Sequence, residues 1–220
     1  MKKLLLLGLL LLGGGPAAAE DFVHCWGSCT TSFQTGLDAR EHNILLAVEK
    51  LDGCRLGPET EFSFLETVTR QLKPGALGYA SSLVEGRRRP APGGGLCQVS
   101  STLYCAALAA GLQIQERHPH SSLVGYLPPG LDAAVSTEAW TDLRFRNRQA
   151  ATLQIRARVQ AAALSIGFYG TETPEWEIRL KASPPEKRAG WFYTVTRRDY
   201  FRAGREAFSE IISRDRYPAP

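Results

Sequence analysis

Gly93-Gly94-Gly95-Leu96-Cys97-Gln98-Val99-Ser100-Ser101-Thr102-Leu103-Tyr104-Cys105-Ala106-Ala107-Leu108-Ala109-Ala110-Gly111 is the stretch on which the fold turns. Its apolar residues fall nearly all round a helical wheel, which predicts a buried helix from Leu96 to Ala110. Gly111 stands where helices favour a left-handed stop. Cys97 sits in the first turn, with three glycines before it. Twenty residues on comes Arg117-His118-Pro119-His120-Ser121.

Working outward, Leu37 to Leu51 repeats apolar residues at helical spacing (Ile44, Leu45, Val48, Leu51), with Gly53 as its stop. Phe62-Ser63-Phe64 alternates as a strand does. Residues 73 to 95 are rich in proline and glycine and carry Arg87-Arg88-Arg89, which reads as a long surface loop. Strands are expected at Leu112 to Glu116, Ala133 to Thr137, Leu143 to Arg146, Thr152 to Val159 and Leu164 to Tyr169. Trp176 to Lys181, Trp191 to Arg197 and Glu206 to Arg214 complete the series. The predicted fold class is α+β: a buried cysteine-bearing helix packed on an antiparallel sheet, with a strand-rich C-terminal half.

Lys2 and Lys3, the apolar run Leu4 to Leu12 and Ala17-Ala18-Ala19 have the layout of a secretory signal peptide cleaved after Ala19. That run is too short to span a bilayer, and no later segment reads as a membrane helix. The expected location is therefore outside the cytoplasm: secreted, periplasmic or in the cell envelope. The net charge of the chain is +4 and falls to +2 without the leader, too little to imply nucleic-acid binding. The expected division is a leader (1–19), an N-terminal extension (20–36), a main domain (37–170) and a strand-rich C-terminal extension (171–220).

All five cysteines (Cys25, Cys29, Cys54, Cys97, Cys105) follow the leader, and an odd number leaves one thiol unpaired within a monomer. Cys97 and Cys105 lie about 12 Å apart if both are on one helix, too far for a disulfide. With Cys97 free, the other four allow three pairings, and spacing selects none of them.

Chain lengths bring the histidines toward Cys97. Fourteen helical residues from Cys97 to Gly111 cover about 21 Å, and seven extended residues to His118 return about 23 Å. On a strict period of two, Leu112, Ile114, Glu116, His118 and His120 share the face toward the helix, while Gln113, Gln115 and Arg117 point away. At a helix start the dipole favours the thiolate, the nucleophilic form. An imidazole can take its proton and return it to a leaving group. Asp132, the first acid after the histidines, is a candidate to orient the imidazole, with Glu116 as its rival. Three glycines make room for a substrate backbone. Backbone amides near Cys97 and Gln98 supply an oxyanion site.

Two other readings stand beside the thiol one. Cys97 is a packing residue and the histidines ordinary, or Cys97, His118, His120 and Asp132 form a zinc site whose spacing matches no known pattern. The four tryptophans read as core, and the arginine run as a solvated loop.

The run Gly93 to Tyr104, together with Glu116 to Ser121 and Pro129-Gly130-Leu131-Asp132-Ala133, resembles the signature of the VanW family. Arg40 with Asn43-Ile44, Gly57-Pro58 and Asp142-Leu143-Arg144-Phe145-Arg146-Asn147 continue the resemblance, which covers about residues 37 to 170. It implies a bacterial exported or envelope protein and supplies no established catalytic residue. Where the family helix usually carries an asparagine, this chain has Cys105. The order cysteine on a helix, histidine on the next strand, then an acid is similar to papain-like and NlpC/P60 peptidases. The Ser-His-Gly-Cys motif of L,D-transpeptidases is absent.

The expectation is thus a secreted thiol enzyme on peptidoglycan peptides, using Cys97, His118, His120 and Asp132. Gly93, Gly94, Gly95, Gln98, Ser100, Ser101, Arg117 and Ser121 would line the substrate site. No cofactor and no metal are expected, and the partner is a cell-wall peptide or glycan. The alternative is a non-catalytic envelope module that binds a wall polymer or a partner protein.

Overall fold

The structure, a computed structural model, describes residues 21–36, 38–84 and 87–219, with only the backbone for Leu83, Val84, Arg87 and Arg88. The expected leader, Leu37 and the side chains of Arg87 and Arg88 lie outside the described residues. Of the described residues, far more are strand than helix, a mixed α and β architecture in keeping with the α+β class.

Helix α1 (Asp38–Leu51) opens on Asp38 and Glu41 and closes on Lys50, charges that complement the helix dipole. It buries Ile44, Ala47 and Leu51, spaced along one stripe. Helix α2 (Leu96–Ala109) is buried from Gln98 through Leu108, and Gly111 follows it at φ +74°. A five-residue π-helical turn spans Leu65–Thr69. Among the described residues no helix is long and apolar enough to cross a membrane.

The first sheet is antiparallel, in the order β1 (His24–Ser32), β9 (Ala163–Gly170), β8 (Leu153–Gln160), β2 (Arg55–Leu56). Leu153, Ile155 and Ala157 alternate into the core, as do Leu164, Ile166 and Phe168 on the neighbouring strand. Strand β1 runs close against α2. A Cβ on Gly27 would lie 2.2 Å from Ala110 N, so only glycine fits there. Farther along, the Thr31 and Thr102 hydroxyls share a 2.8 Å hydrogen bond.

The second sheet is β3 (Glu61–Ser63), β7 (Arg144–Arg146), β6 (Gln113–Glu116). Phe62 stacks on Phe145 with centroids 4.6 Å apart, and Phe145 meets Phe168 of the first sheet edge-on at 5.7 Å, carrying the core between sheets. The expected loop over 73–95 instead holds a two-stranded ribbon, β4 (Tyr79–Val84) with β5 (Arg87–Pro92). Pro90 and Pro92 are two apart, so both missing N–H groups fall on one parity, which a strand bonded on one side only tolerates.

The C-terminal sheet is built on β12 (Trp191–Arg202). It pairs β13 (Arg205–Pro218) along one edge and β10 (Glu177–Ala182) then β11 (Glu186–Arg188) along the other. Two of the contacts that dock this sheet involve Leu112 and Gly130. Arg198 Nη1 donates to Leu112 O at 2.9 Å, beyond the end of α2. Gly130, at φ +90°, lies where a Cβ would be 2.3 Å from Thr196 Oγ1.

Candidate functional site

Asp132 is the hub of a buried polar cluster, with its side chain 1% exposed. Its Oδ2 accepts the His120 ring N–H (Nδ1, 2.7 Å) and the His120 backbone N–H (2.7 Å). Its Oδ1 accepts from Tyr217 Oη at 2.5 Å and from Arg117 Nη2 at 3.1 Å. Arg117 also donates from Nε to Asp132 O (2.6 Å) and from Nη1 to Asp215 Oδ1 (2.5 Å). A buried carboxylate needs this many donors to offset its lost hydration.

His120 Nδ1 is committed to Asp132, and the Cys97 thiol lies close enough to the ring to act on its pKa. Burial draws the His120 pKa down, but the hydrogen bonds to Asp132 and Cys97 and their charges raise it to about 9. Burial likewise pushes Asp132 up, yet the His120 bond, the Arg117 charge and the Tyr217 bond bring it down to about 2. His120 thus interacts with Cys97 on one hand and Asp132 on the other.

The cysteine end is equally constrained. Cys97 Sγ lies 3.4 Å from Val135 O. Ser101 Oγ donates to Cys97 O at 2.6 Å and accepts the Ala133 N–H at 2.9 Å. Ser100 Oγ donates to Ala133 O at 2.6 Å. The two serines thus lash the start of α2 to the segment that carries Asp132. Tyr126 Oη approaches Cys97 O at 3.3 Å, and burial pushes its phenol well above the ordinary tyrosine range.

Several expected site residues are placed elsewhere. Chain lengths selected His118 as the residue level with Cys97, but its ring donates to Glu116 Oε1 at 2.9 Å and is 44% exposed, against 6% for His120. The β6–β7 register shifts between Ile114 and Glu116, and this bulge resets the period of two. The same shift turns Arg117 inward, where its guanidinium is spent on Asp132 and Asp215. Pro119 then carries the chain out of the strand.

The glycines are filled rather than open. A Cβ on Gly94 would be 2.6 Å from Ala80 O, and one on Gly95 would be 3.2 Å from Arg40 O. Gly93 at φ +78° meets Leu77 and Leu96. They let β4 and α1 approach the start of α2. Asn43 Nδ2 fastens the turn, donating to Gly78 O (2.9 Å) and Gly94 O (3.0 Å). Gln98 is buried; its Oε1 accepts from Arg40 at 2.7 Å, and its amide donates to Thr31 and Ser32 O. Its backbone N–H is bonded to Gly95 O, so of the two amides expected for an oxyanion, one is taken. Ser121 is exposed beside His120. Among the described residues no three His, Cys, Asp or Glu side chains are grouped as a metal site.

Residues 39–169 match the model of the family described as VanW like protein. The chain belongs to the VanW family. The uncharacterized protein YoaR of Bacillus subtilis (strain 168) is 34% identical over 161 residues, covering 73% of this chain and 53% of that protein. The vancomycin B-type resistance protein VanW of Enterococcus faecalis V583 is 32% identical over 120 residues, covering 51% of this chain and 42% of that protein. The chain spans about half the length of the curated relatives it matches. No solved structure matches.

Cys97, His120, Asp132 and Arg117 all fall inside the matched VanW segment, while Tyr217 and Asp215 lie beyond it on β13. Those two escaped sequence reasoning, because only the docking of the C-terminal sheet brings them to Asp132. Tyr126, in a stretch rich in turns, carried no periodic signal either.

Proposed function

We propose that this VanW-family protein is an exported cell-envelope thiol enzyme acting on peptidoglycan peptides. The observation that carries the reading is the grouping of half-buried Cys97 with buried His120 and Asp132 at the start of α2. Nucleophile, imidazole and orienting carboxylate are the three parts of acyl transfer by a thiol. The finer fold expectation belongs to the same reading: α2 rests on the antiparallel sheet, supported by the Gly27 approach to Ala109 and Ala110.

In the proposed reaction Cys97 Sγ attacks the carbonyl carbon of a substrate amide, its proton having gone to His120 Nε2. The Cys97 N–H at the positive end of α2 faces the developing oxyanion. As the C–N bond breaks, His120 returns the proton to the leaving amine, and a thioester remains on Cys97. Water then releases a carboxylate, or an acceptor amine forms a new amide. His120 supplies the proton because Asp132, itself held by Arg117 and Tyr217, keeps Nδ1–H pointing away from the thiol.

Cys97→Ala and Cys97→Ser, assayed on intact peptidoglycan for released and cross-linked peptides, test the reading. Loss of turnover by at least 100-fold with an unchanged melting temperature is expected. Full retention would leave the binding module, with Cys97 as packing. Native alkylation of Cys97 that is slowed by His120→Gln supports the thiol enzyme. An inert Cys97 favours the module.

A further inference from the structure

All five cysteines stand as free thiols, Cys29 half-buried and Cys105 buried. Strand β1 and helix α2 run antiparallel along a shared face, fixed at both ends. At one end Gly27 lies against Ala109 and Ala110. At the other, Thr31 bonds Thr102. Gly27, Cys29 and Thr31 alternate along the strand and so face α2 together. Thr102, Cys105 and Ala109 are spaced three and four apart and so share one helix face. The four strand residues and the seven or eight helix residues each cover about 10–13 Å, so the midpoints coincide. Those midpoints are Cys29 and Cys105, and the two sulfurs are within hydrogen-bonding reach of each other.

Two of the alternatives fail on distance. Cys25 pairs with Tyr169, Tyr169 with Gln154, and Gln154 with Arg55. Cys54 adjoins Arg55, so about three strand spacings, roughly 14 Å, separate it from Cys25. That is twice the Cα separation a disulfide accepts. Cys97 and Cys105 are both on α2, about 12 Å apart.

We propose that Cys29 and Cys105 form a disulfide that ties β1 to α2 when the protein meets an oxidising environment. The Cys105 hydrogen bond favours the Cys29 thiolate against the opposing effect of burial, while Cys105 is held in its protonated form. Cys29 Sγ attacks one sulfur of an external disulfide donor, forming a mixed disulfide and expelling one donor thiolate. Cys105 gives its proton to solvent and displaces the second donor sulfur. Two protein thiols are oxidised and one donor disulfide is reduced to two thiols. The bridge uses the two cysteines that face each other and leaves Cys97 a thiol.

The experiment equilibrates the full chain with a mixture of oxidised and reduced glutathione, quenches with an alkylating agent and maps peptides without reduction. A Cys29–Cys105 cross-linked peptide with Cys25, Cys54 and Cys97 alkylated is expected. Alkylation of both Cys29 and Cys105, or either one in another pair, overturns the proposal. Melting provides the second measurement. Reduction should lower the wild-type midpoint by roughly 10 °C, the size expected for a bridge closing a long loop. Cys29→Ser should melt at one temperature with or without reductant. A reductant-dependent shift that persists in Cys29→Ser also overturns it. Cys29, half-exposed, tolerates serine even if Cys105→Ser fails to fold.

Discussion

Tyr217 Oη donates a 2.5 Å hydrogen bond to Asp132 Oδ1, joining residues 85 positions apart. The phenol also accepts the Gly130 N–H at 2.9 Å, so one hydroxyl braces both the acid and the turn before it. Burial pushes the Tyr217 phenol well above its usual range, in keeping with its role as a donor to Asp132. Tyr217→Phe keeps the ring and removes both bonds. The expected cost is about 1–3 kcal/mol of stability. Asp132 would lose one of its donors and become more basic, so the His120 proton should be held more firmly in a histidine NMR titration. An unchanged titration would reduce Tyr217 to a packing residue.

Stability should plateau between about pH 4 and 6.5. His120 is raised from 6.5 to about 9, so its contribution is complete below pH 6.5 and is lost as pH rises through 9. Asp132 is lowered from 3.8 to about 2, so its contribution is present above pH 3.8 and is lost as pH falls through 2. Asp132→Asn should flatten both limbs. It should also cost about 3–5 kcal/mol, because Arg117 keeps its buried charge with only Asp215 to answer it. Thermal melts across pH for the two proteins check both statements.

The two histidines should separate cleanly. His118→Ala removes an exposed contact with Glu116 and should change stability by less than about 1 kcal/mol, leaving Cys97 alkylation unaltered. His120→Gln removes the thiol's partner and should slow alkylation at neutral pH by at least tenfold. Equal effects from the two substitutions would disprove the assignment of the base.

Gly27→Ala places a methyl 2.2 Å from Ala110 N and 2.4 Å from Ala109 C. Both are backbone atoms at the end of α2 and cannot swing aside, and a loss of at least ~3 kcal/mol is expected. Gly36→Ala is the control. Its surroundings are open, and only its φ of +77° opposes the change, at about 1 kcal/mol. Denaturant unfolding of both variants makes the comparison.

Where packing follows local periodicity, the sequence was readable. Leu96 to Ala110 announced α2 because its apolar residues surround the axis, and Leu153, Ile155 and Ala157 announced β8 by strict alternation. Strand β1 gave no such signal: His24-Cys25-Trp26-Gly27-Ser28-Cys29-Thr30-Thr31-Ser32 is small and polar, and its helix-facing positions are suited to close approach rather than to bulk. Strand β5 was hidden by its prolines. At the candidate site the residue types were legible but not their phase. The bulge between Ile114 and Glu116 turned His118 off the helix-facing side, and the break at Pro119 let His120 turn back toward Asp132; no count of residues along a chain reveals either. Tyr217 and Asp215 were beyond reach for a different reason, since a contact across 85 residues leaves no local trace.

The brackets around α2 bear on how the family segment can be handled. Gly27 and Thr31 flank the helix from before residue 39, and Arg198 caps the carbonyls at its far end from after residue 169. A fragment cut to the family boundaries would keep Cys97, His120 and Asp132. It would also bare the face of α2 that β1 covers, together with the Leu112 carbonyl. The family boundaries therefore cut through contacts that α2 makes on both flanks. Any transplant or minimal version of this protein has to carry its two flanks along.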